Sequence, residues 1–243
     1  MSVIVIVSPI QNMRQPKAIK TAEFRLQGTD GIRREVKSAS AEEFFGLTPQ
    51  QVFLQRGFIT ENFMELYAYA HVRQLEVSGV DRATIVVGWD PRDAHGLFTG
   101  AVVRGVRKAG ADVLCIGIAP TPLVPTFMLY KNACGGFMVT ASHNPKDQNG
   151  IKTFYAFRGM KLLPQNDVKL TRKVLALDYK SIASKPLAGD LANCRDDALE
   201  VFTRFSVHPE NSWAESANFS NMILVVDPAN GALSGIAVEI FRR

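Results

Sequence analysis

Apolar residues recur along this chain in two periods, and the switches between them outline a layered fold. Beyond Thr60, the residues Phe63, Leu66, Tyr67 and Ala70 fall at i, i+3, i+4 and i+7, one face of a helix, with Thr60 placed to cap it and Ser78-Gly79 as a stop. Ala83 to Gly88 is a β-branched run of the kind buried on both faces of a sheet, and Trp89-Asp90-Pro91-Arg92 gives it a polar carboxyl end. A second helix is predicted over Leu97 to Lys108. Arg104, Arg107 and Lys108 meet the negative end of its dipole, and Gly110 terminates it. Val113 to Ile116 reads as the next strand. Thr121-Pro122 then opens a third helix, the threonine capping and the proline losing no hydrogen bond at the first helical position, with Pro125 still early enough to be tolerated. Gly135 to Thr140 reads as a strand broken by Ala141 to Pro145, and Asn149-Gly150 as a turn into a strand from Ile151 to Phe157.

Strands and helices alternating at these lengths predict the α/β class, with α/β/α layers around a mixed sheet that is parallel in part. Ligands of such sheets gather beyond the carboxyl ends of the strands. Ser142, Asp90 and the tight turn Gly28-Thr29-Asp30-Gly31 can converge there, with Ile32, Arg33 and Arg34 leaving the turn. A helix is expected around Leu163 to Ser184, and the Ser, Pro and Gly of Ser181 to Asp190 mark a linker. The expected division is a first domain over residues 1–184 and part of a second over 185–243. In the latter, Asp196 to Phe205 reads as a helix and Met222 to Val226 as a strand. Asp227 to Gly231 reads as a turn feeding a helix from Leu233. A strand and two helices are too little to close a second sheet, so this second α/β domain is expected to be incomplete and to expose an apolar patch.

Composition adds exclusions. With 47% hydrophobic residues in 243, the chain can bury a sizeable core, which argues against disorder. Its net charge of +5 comes from scattered residues with no basic run, which argues against nucleic acid and suits small anions. The apolar run Val3 to Val7 is too short to span a bilayer and no basic residues precede it, so no membrane partner and a cytoplasmic location are expected. Cys115, Cys134 and Cys194 are odd in number and widely spaced, as buried reduced thiols would be. His71 is expected on a helix surface, His208 and Trp213 in a loop, and Met64 and Met128 in the helical core.

The best nucleophile candidate is Ser142, in a polar loop directly after an apolar strand. By spacing alone, Ser142 and Asn144 read equally well as loop residues bonding their own backbone. A hydrolase triad is disfavoured, because there is no G-x-S-x-G elbow and adjacent Ser142 and His143 side chains point apart in extended chain. Four segments taken together go further. TASHNP at Thr140 to Pro145, NGIK at Asn149 to Lys152, GTDGIR at Gly28 to Arg33 and VVGWDPR at Val86 to Arg92 resemble the α-D-phosphohexomutase superfamily, of phosphomannomutase and phosphoglucomutase type. The likeness covers Phe24 to Phe157, and VVDPANGA at Val225 to Ala232 is similar to the opening of that family's second domain.

That resemblance implies an intramolecular phosphoryl transfer on a hexose phosphate, passing through a phosphoserine at Ser142 and a bisphosphorylated sugar. It implies Arg33 and Lys152 as cations flanking the transfer, His143 beside the phosphoserine, and substrate contacts from Thr29, Asp30 and Asn144. Lys146 is a further candidate cation. A phosphoserine carries roughly −1.5 to −2 charges near neutral pH, so fixed cations matter more than a strong base. Also implied are a hexose 1,6-bisphosphate activator and Mg2+ held by the Ser142 phosphate and an aspartate-rich loop. No D-x-D-x-D run occurs, and Asp196-Asp197 is explained by its place at a helix start. Asp93-Ala94-His95-Gly96 stands where the family usually has serines, and Thr140 in place of a serine leans toward a mannose or glucose phosphate. Missing parts would come from a second chain or be lost by truncation, leaving this chain inactive alone. The competing expectation is a mutase-derived module that binds a phosphosugar or a partner without catalysis.

Overall fold

The computed structural model describes residues 24–75, 82–211 and 220–242. The Gly28 amide donates to the Gly31 carbonyl at 3.0 Å and closes the expected turn, from which β1 (Ile32–Glu35) departs. A helical turn, α1 (Pro49–Gln51), is closed by a reciprocal capping box between Thr48 and Gln51. Helix α2 (Glu61–Val72) starts where its pattern says, with Thr60 Oγ1 accepting from the Phe63 amide at 3.2 Å. There follow β2 (Thr84–Trp89), α3 (Leu97–Lys108), β3 (Asp112–Ile118), α4 (Leu123–Lys131), β4 (Gly135–Val139) and β5 (Gln148–Tyr155). The chain continues through α5 (Pro164–Ala176), α6 (Tyr179–Ala183), β6 (Leu191–Asn193), α7 (Arg195–Val207) and α8 (Ala237–Arg242).

Among the described residues, six strands form one mixed sheet in the order β1-β5-β4-β2-β3-β6. β4, β2, β3 and β6 pair in parallel, while β5 runs antiparallel to β4 and to β1. Strand alternation sends Ile85, Val87, Phe137 and Val139 to one face, and Val86 and Met138 to the other. Helices α2, α3, α5 and α6 contribute to the first core, and α4 and α7 to the second, which gives the expected α/β/α layers. Tight packing of α2 on α3 rests on Gly105, where a Cβ would lie 2.2 Å from the Glu65 carbonyl oxygen. Glu65 is buried there and accepts from Arg104 Nε at 3.0 Å and Lys108 Nζ at 2.7 Å. Met64 and Met128 are core residues, as expected.

Several local expectations give way to tertiary demands. Asn149-Gly150 lies within β5 and makes no turn; the reversal is made by residues 142–147. A glycine is required there because a Cβ on Gly150 would lie 2.0 Å from the Ile32 carbonyl oxygen of the neighbouring strand. Thr121 does not cap α4, whose N-cap is Pro122 without a side-chain bond; its hydroxyl instead accepts from Lys152 Nζ at 3.4 Å. The helix expected over Leu163 to Ser184 divides at Leu177, and Asp178 caps the second piece. The linker-like stretch returns to the first sheet: Ala188 and Gly189 amides donate to the Arg107 carbonyl, and β6 pairs with β3. Met222 to Val226 forms no strand, Ile223 being 95% exposed, and the helix expected from Leu233 begins at Ala237. Ser78-Gly79 and Trp213 lie outside the described residues; α2 ends at Val72. The three cysteines are free and half-buried, not fully enclosed.

His71 reverses its expected place, since it is completely buried on α2 among apolar residues. Its ring meets Phe137 and Tyr155 edge-on, with centroids 5.1 and 6.0 Å away, and neither nitrogen has a hydrogen-bond partner among the described residues. Burial pushes its pKa down from 6.5 to about 3. The folded state therefore favours neutral imidazole, so the stabilisation is complete above the unfolded pKa and is lost as pH falls from there toward the folded one. The expected loss approaches ~1.4 kcal/mol per pH unit. Urea unfolding between about pH 7 and pH 5 checks this: His71→Leu should remove that slope, and an equal slope in both proteins would refute it.

Candidate active site

Strand β4 delivers the chain to the carboxyl edge of the sheet, where the Thr140 amide still pairs with the Gly150 carbonyl at 2.9 Å. Ala141 is buried, and Ser142 then takes a left-handed backbone, φ 60°. For a residue with a Cβ that conformation costs roughly 1–2 kcal/mol. The reversal turns Ser142 outward. It is exposed and lines a cavity of about 550 Å³ together with His143, Asn144, Lys146, Asp90 and Thr121.

Two strand ends hold this loop. The Ser142 amide donates to Thr140 Oγ1 at 2.8 Å, and the Thr140 hydroxyl donates to Asp90 Oδ2 at 2.5 Å. Asp90 follows β2 directly and also accepts from the Arg92 amide at 3.0 Å and from Arg92 Nε at 2.9 Å. The Arg92 guanidinium then reaches across the loop, donating to the carbonyls of Gln148 at 2.9 Å, Pro145 at 3.2 Å and Asn144 at 3.4 Å, and to that of Ser142. Arg92 and the inward role of Thr140 were missing from the sequence reading. The available signal was the place of both at the ends of neighbouring parallel strands. Asp93, the first residue of the Asp93-Ala94-His95-Gly96 departure, accepts from the Phe98 and Thr99 amides at the start of α3, at 3.2 and 2.6 Å.

The cations singled out by motif assemble around Asp30. Arg33 Nη2 donates to Asp30 Oδ2 at 2.9 Å, Lys152 Nζ lies 3.0 Å from the same oxygen, and Lys161 pairs with Oδ1. Burial raises the Asp30 pKa, but hydrogen bonds from Lys161 and Lys152 outweigh that and hold it below the ordinary carboxylate value. Asp30 is thus occupied by the protein's own cations. Thr29 and Asp30 line a hollow of about 260 Å³ with Lys152 and Lys161, beside the Ser142 cavity. Arg33 hydrogen-bonds the serine loop at Asn144 Oδ1, at 3.4 Å, and Lys152 reaches that cavity's wall through Thr121. Ser142, His143 and Asn144 therefore share one cavity, while Thr29, Asp30, Arg33 and Lys152 form the adjoining group. Lys161, half-exposed, is an addition the sequence reading lacked.

Magnesium finds little to hold it among these residues. No cluster of three or more His, Cys, Asp or Glu suited to a metal occurs among the described residues. Asp90 is committed to Arg92 and Thr140, and Asp30 to three cations, so neither carboxylate is free for a metal, which leaves neutral oxygens such as those of Ser142, Thr121 and Asn144 on the cavity wall.

The fold and motifs coincide with a known family model, "Phosphoglucomutase/phosphomannomutase, alpha/beta/alpha domain I", which matches residues 25–180. The chain belongs to this family, within the α-D-phosphohexomutase superfamily. Relatives named phosphoglucosamine mutase include one from Thermobifida fusca, 35% identical over 90% of this chain and 43% of its own length. Another, from Pelotomaculum thermopropionicum, is 32% identical over 66% of this chain and 35% of its own length. This chain therefore spans less than half of either relative. A putative phosphomannomutase from Thermus thermophilus aligns over 71% of this chain and 34% of its own, at 25% identity and a TM-score of 0.46.

Removing the Asp30 charge should leave three cations facing one another. Asp30→Asn is expected to lower stability by about 1 kcal/mol at low ionic strength, discounted for partial exposure, and to regain much of it in high salt. Thermal unfolding at two salt concentrations measures this. A salt-independent loss would mean that packing, not charge, is what Asp30 supplies.

Proposed function

We propose that this chain carries the phosphoryl-accepting serine of a phosphohexomutase acting on hexose phosphates. The supporting observation is Ser142: exposed, reversed in backbone and lining a cavity that also presents His143 and Lys146. The phosphorylated serine gives its phosphoryl group to a sugar hydroxyl. The bond from phosphorus to Ser142 Oγ breaks, a bond from phosphorus to the sugar oxygen forms, and the hydroxyl proton balances the one that Oγ takes up. The resulting sugar bisphosphate turns over, and its other phosphoryl group returns to Ser142 by the reverse step.

The chain's contribution is position and charge. His143 and Lys146 lie on the cavity wall with Ser142, and Arg33 and Lys152 stand one contact behind it, held by Asp30. Fixed cations of this kind neutralise the charge spread over a transferring phosphoryl group. The names of the relatives favour an amino-hexose phosphate as substrate. Thr140, which leaned toward mannose or glucose phosphate, lines the cavity but is 3% exposed and spends its hydroxyl on Asp90 and the Ser142 amide, so that hydroxyl is not free to choose a sugar.

Incubation with glucose 1,6-bisphosphate or glucosamine 1,6-bisphosphate, followed by intact-mass measurement, tests the proposal. One phosphoryl group is expected on the wild type and none on Ser142→Ala. An unmodified wild type with either compound, or an equal adduct on Ser142→Ala, would refute the nucleophile and leave a phosphosugar-binding module as the better account.

A further inference from the structure

Arg92 takes no part in the phosphoryl transfer itself, yet its guanidinium donates to four backbone carbonyls between Ser142 and Gln148. Its side chain is 15% exposed, its partner Asp90 is 13% exposed, and the two are joined through Nε at 2.9 Å. Nη1 donates to the carbonyls of Asn144, Pro145 and Gln148, and Nη2 to that of Ser142. Arg92 lines the Ser142 cavity, but its charge is matched by Asp90 and its nitrogens are turned to backbone oxygens, which leaves it little to offer a phosphate. What it can do is fix the path of the chain from Ser142 to Gln148. A planar guanidinium spans several acceptors in one rigid geometry, which a lysine ammonium cannot reproduce.

We propose that Arg92 is the positioning residue for Ser142, acting with Asp90 as a brace that sets the reversed backbone and hence the aim of the serine side chain. The brace has two arms that meet at Asp90. One runs from Asp90 through the Thr140 hydroxyl to the Ser142 amide, and the other through Arg92 to the Ser142 carbonyl. Both peptide groups flanking the serine are thereby tied to the end of β2, so the unfavourable φ of 60° is fixed from both sides. In catalytic terms this inference rests on Ser142 being the phosphoryl acceptor. The hold on the loop itself does not.

The test pairs two measurements on Arg92→Lys, Arg92→Ala and wild type. Hydrogen exchange at the bonded amides of Ser142, Asn144 and Gln148 should rise about ten-fold or more in Arg92→Lys, with protection of α2 and α3 unchanged. The rate of phosphoryl uptake at saturating hexose 1,6-bisphosphate should fall about ten-fold or more, while the half-saturating concentration stays within about two-fold. Added guanidinium ion should restore part of the rate in Arg92→Ala. Wild-type exchange and uptake in Arg92→Lys would overturn the proposal, and so would protection lost evenly across the whole fold. Should wild type itself take up no phosphoryl group, the nucleophile reading fails, and the exchange comparison still decides whether Arg92 holds the loop.

Discussion

Thr140 Oγ1 stands between two demands, accepting the Ser142 amide at 2.8 Å and donating to Asp90 Oδ2 at 2.5 Å. Through that oxygen the turn after β4 is tied to the end of β2, and through Asp90 it is tied to Arg92. The parallel pairing of β2 with β4, in which Trp89 lies opposite Val139, brings the two strand ends level so that these short contacts can form. A left-handed serine in a free loop would relax, because nothing would offset its local cost. Here the loop is bonded at both peptide groups of the serine, and its outward direction follows from the sheet.

Charge is arranged on the same plan of local neutrality with a cationic remainder. Arg92 is matched by Asp90, so it contributes geometry and little field. Around Asp30 three cations share one carboxylate, leaving an excess of positive charge beside a cavity that presents His143 and Lys146. This local excess follows from the placement of side chains that the fold brings together; the net charge of +5 suits small anions but does not say where they would be met.

Much of the fold was legible because burial on both faces of a sheet imposes simple patterns. The β-branched run of β2 and the helix from Leu97 to Lys108 were read to within a residue, since their periodicity is strong and their ends carry ordinary terminators. The failures share a cause. Asn149-Gly150 looked like a turn because glycine permits one, yet Gly150 is small so that Ile32 can approach. His71 looked like a surface residue because imidazole is polar, yet α2 is covered by α3, by the sheet and by α5, and no side remains for water. Met222 to Val226 has the composition of a strand but no neighbouring strand among the described residues to pair with.

By itself the sequence determined the order of the elements from α2 to β5, the layered class, the serine loop and the identity of the charged residues in the four motifs. These depend on local backbone preference and on side-chain periodicity, which are properties of short stretches of chain. Tertiary structure alone decided that Thr140 faces inward and that Arg92 spends its donors on backbone oxygens. It also decided that Asp30 binds the protein's own cations, and that Arg33 and Lys152 stand one contact away from Ser142. Such pairings join residues from 3 to more than 100 positions apart, and their distances are set by how strands align in the sheet, which no local pattern encodes.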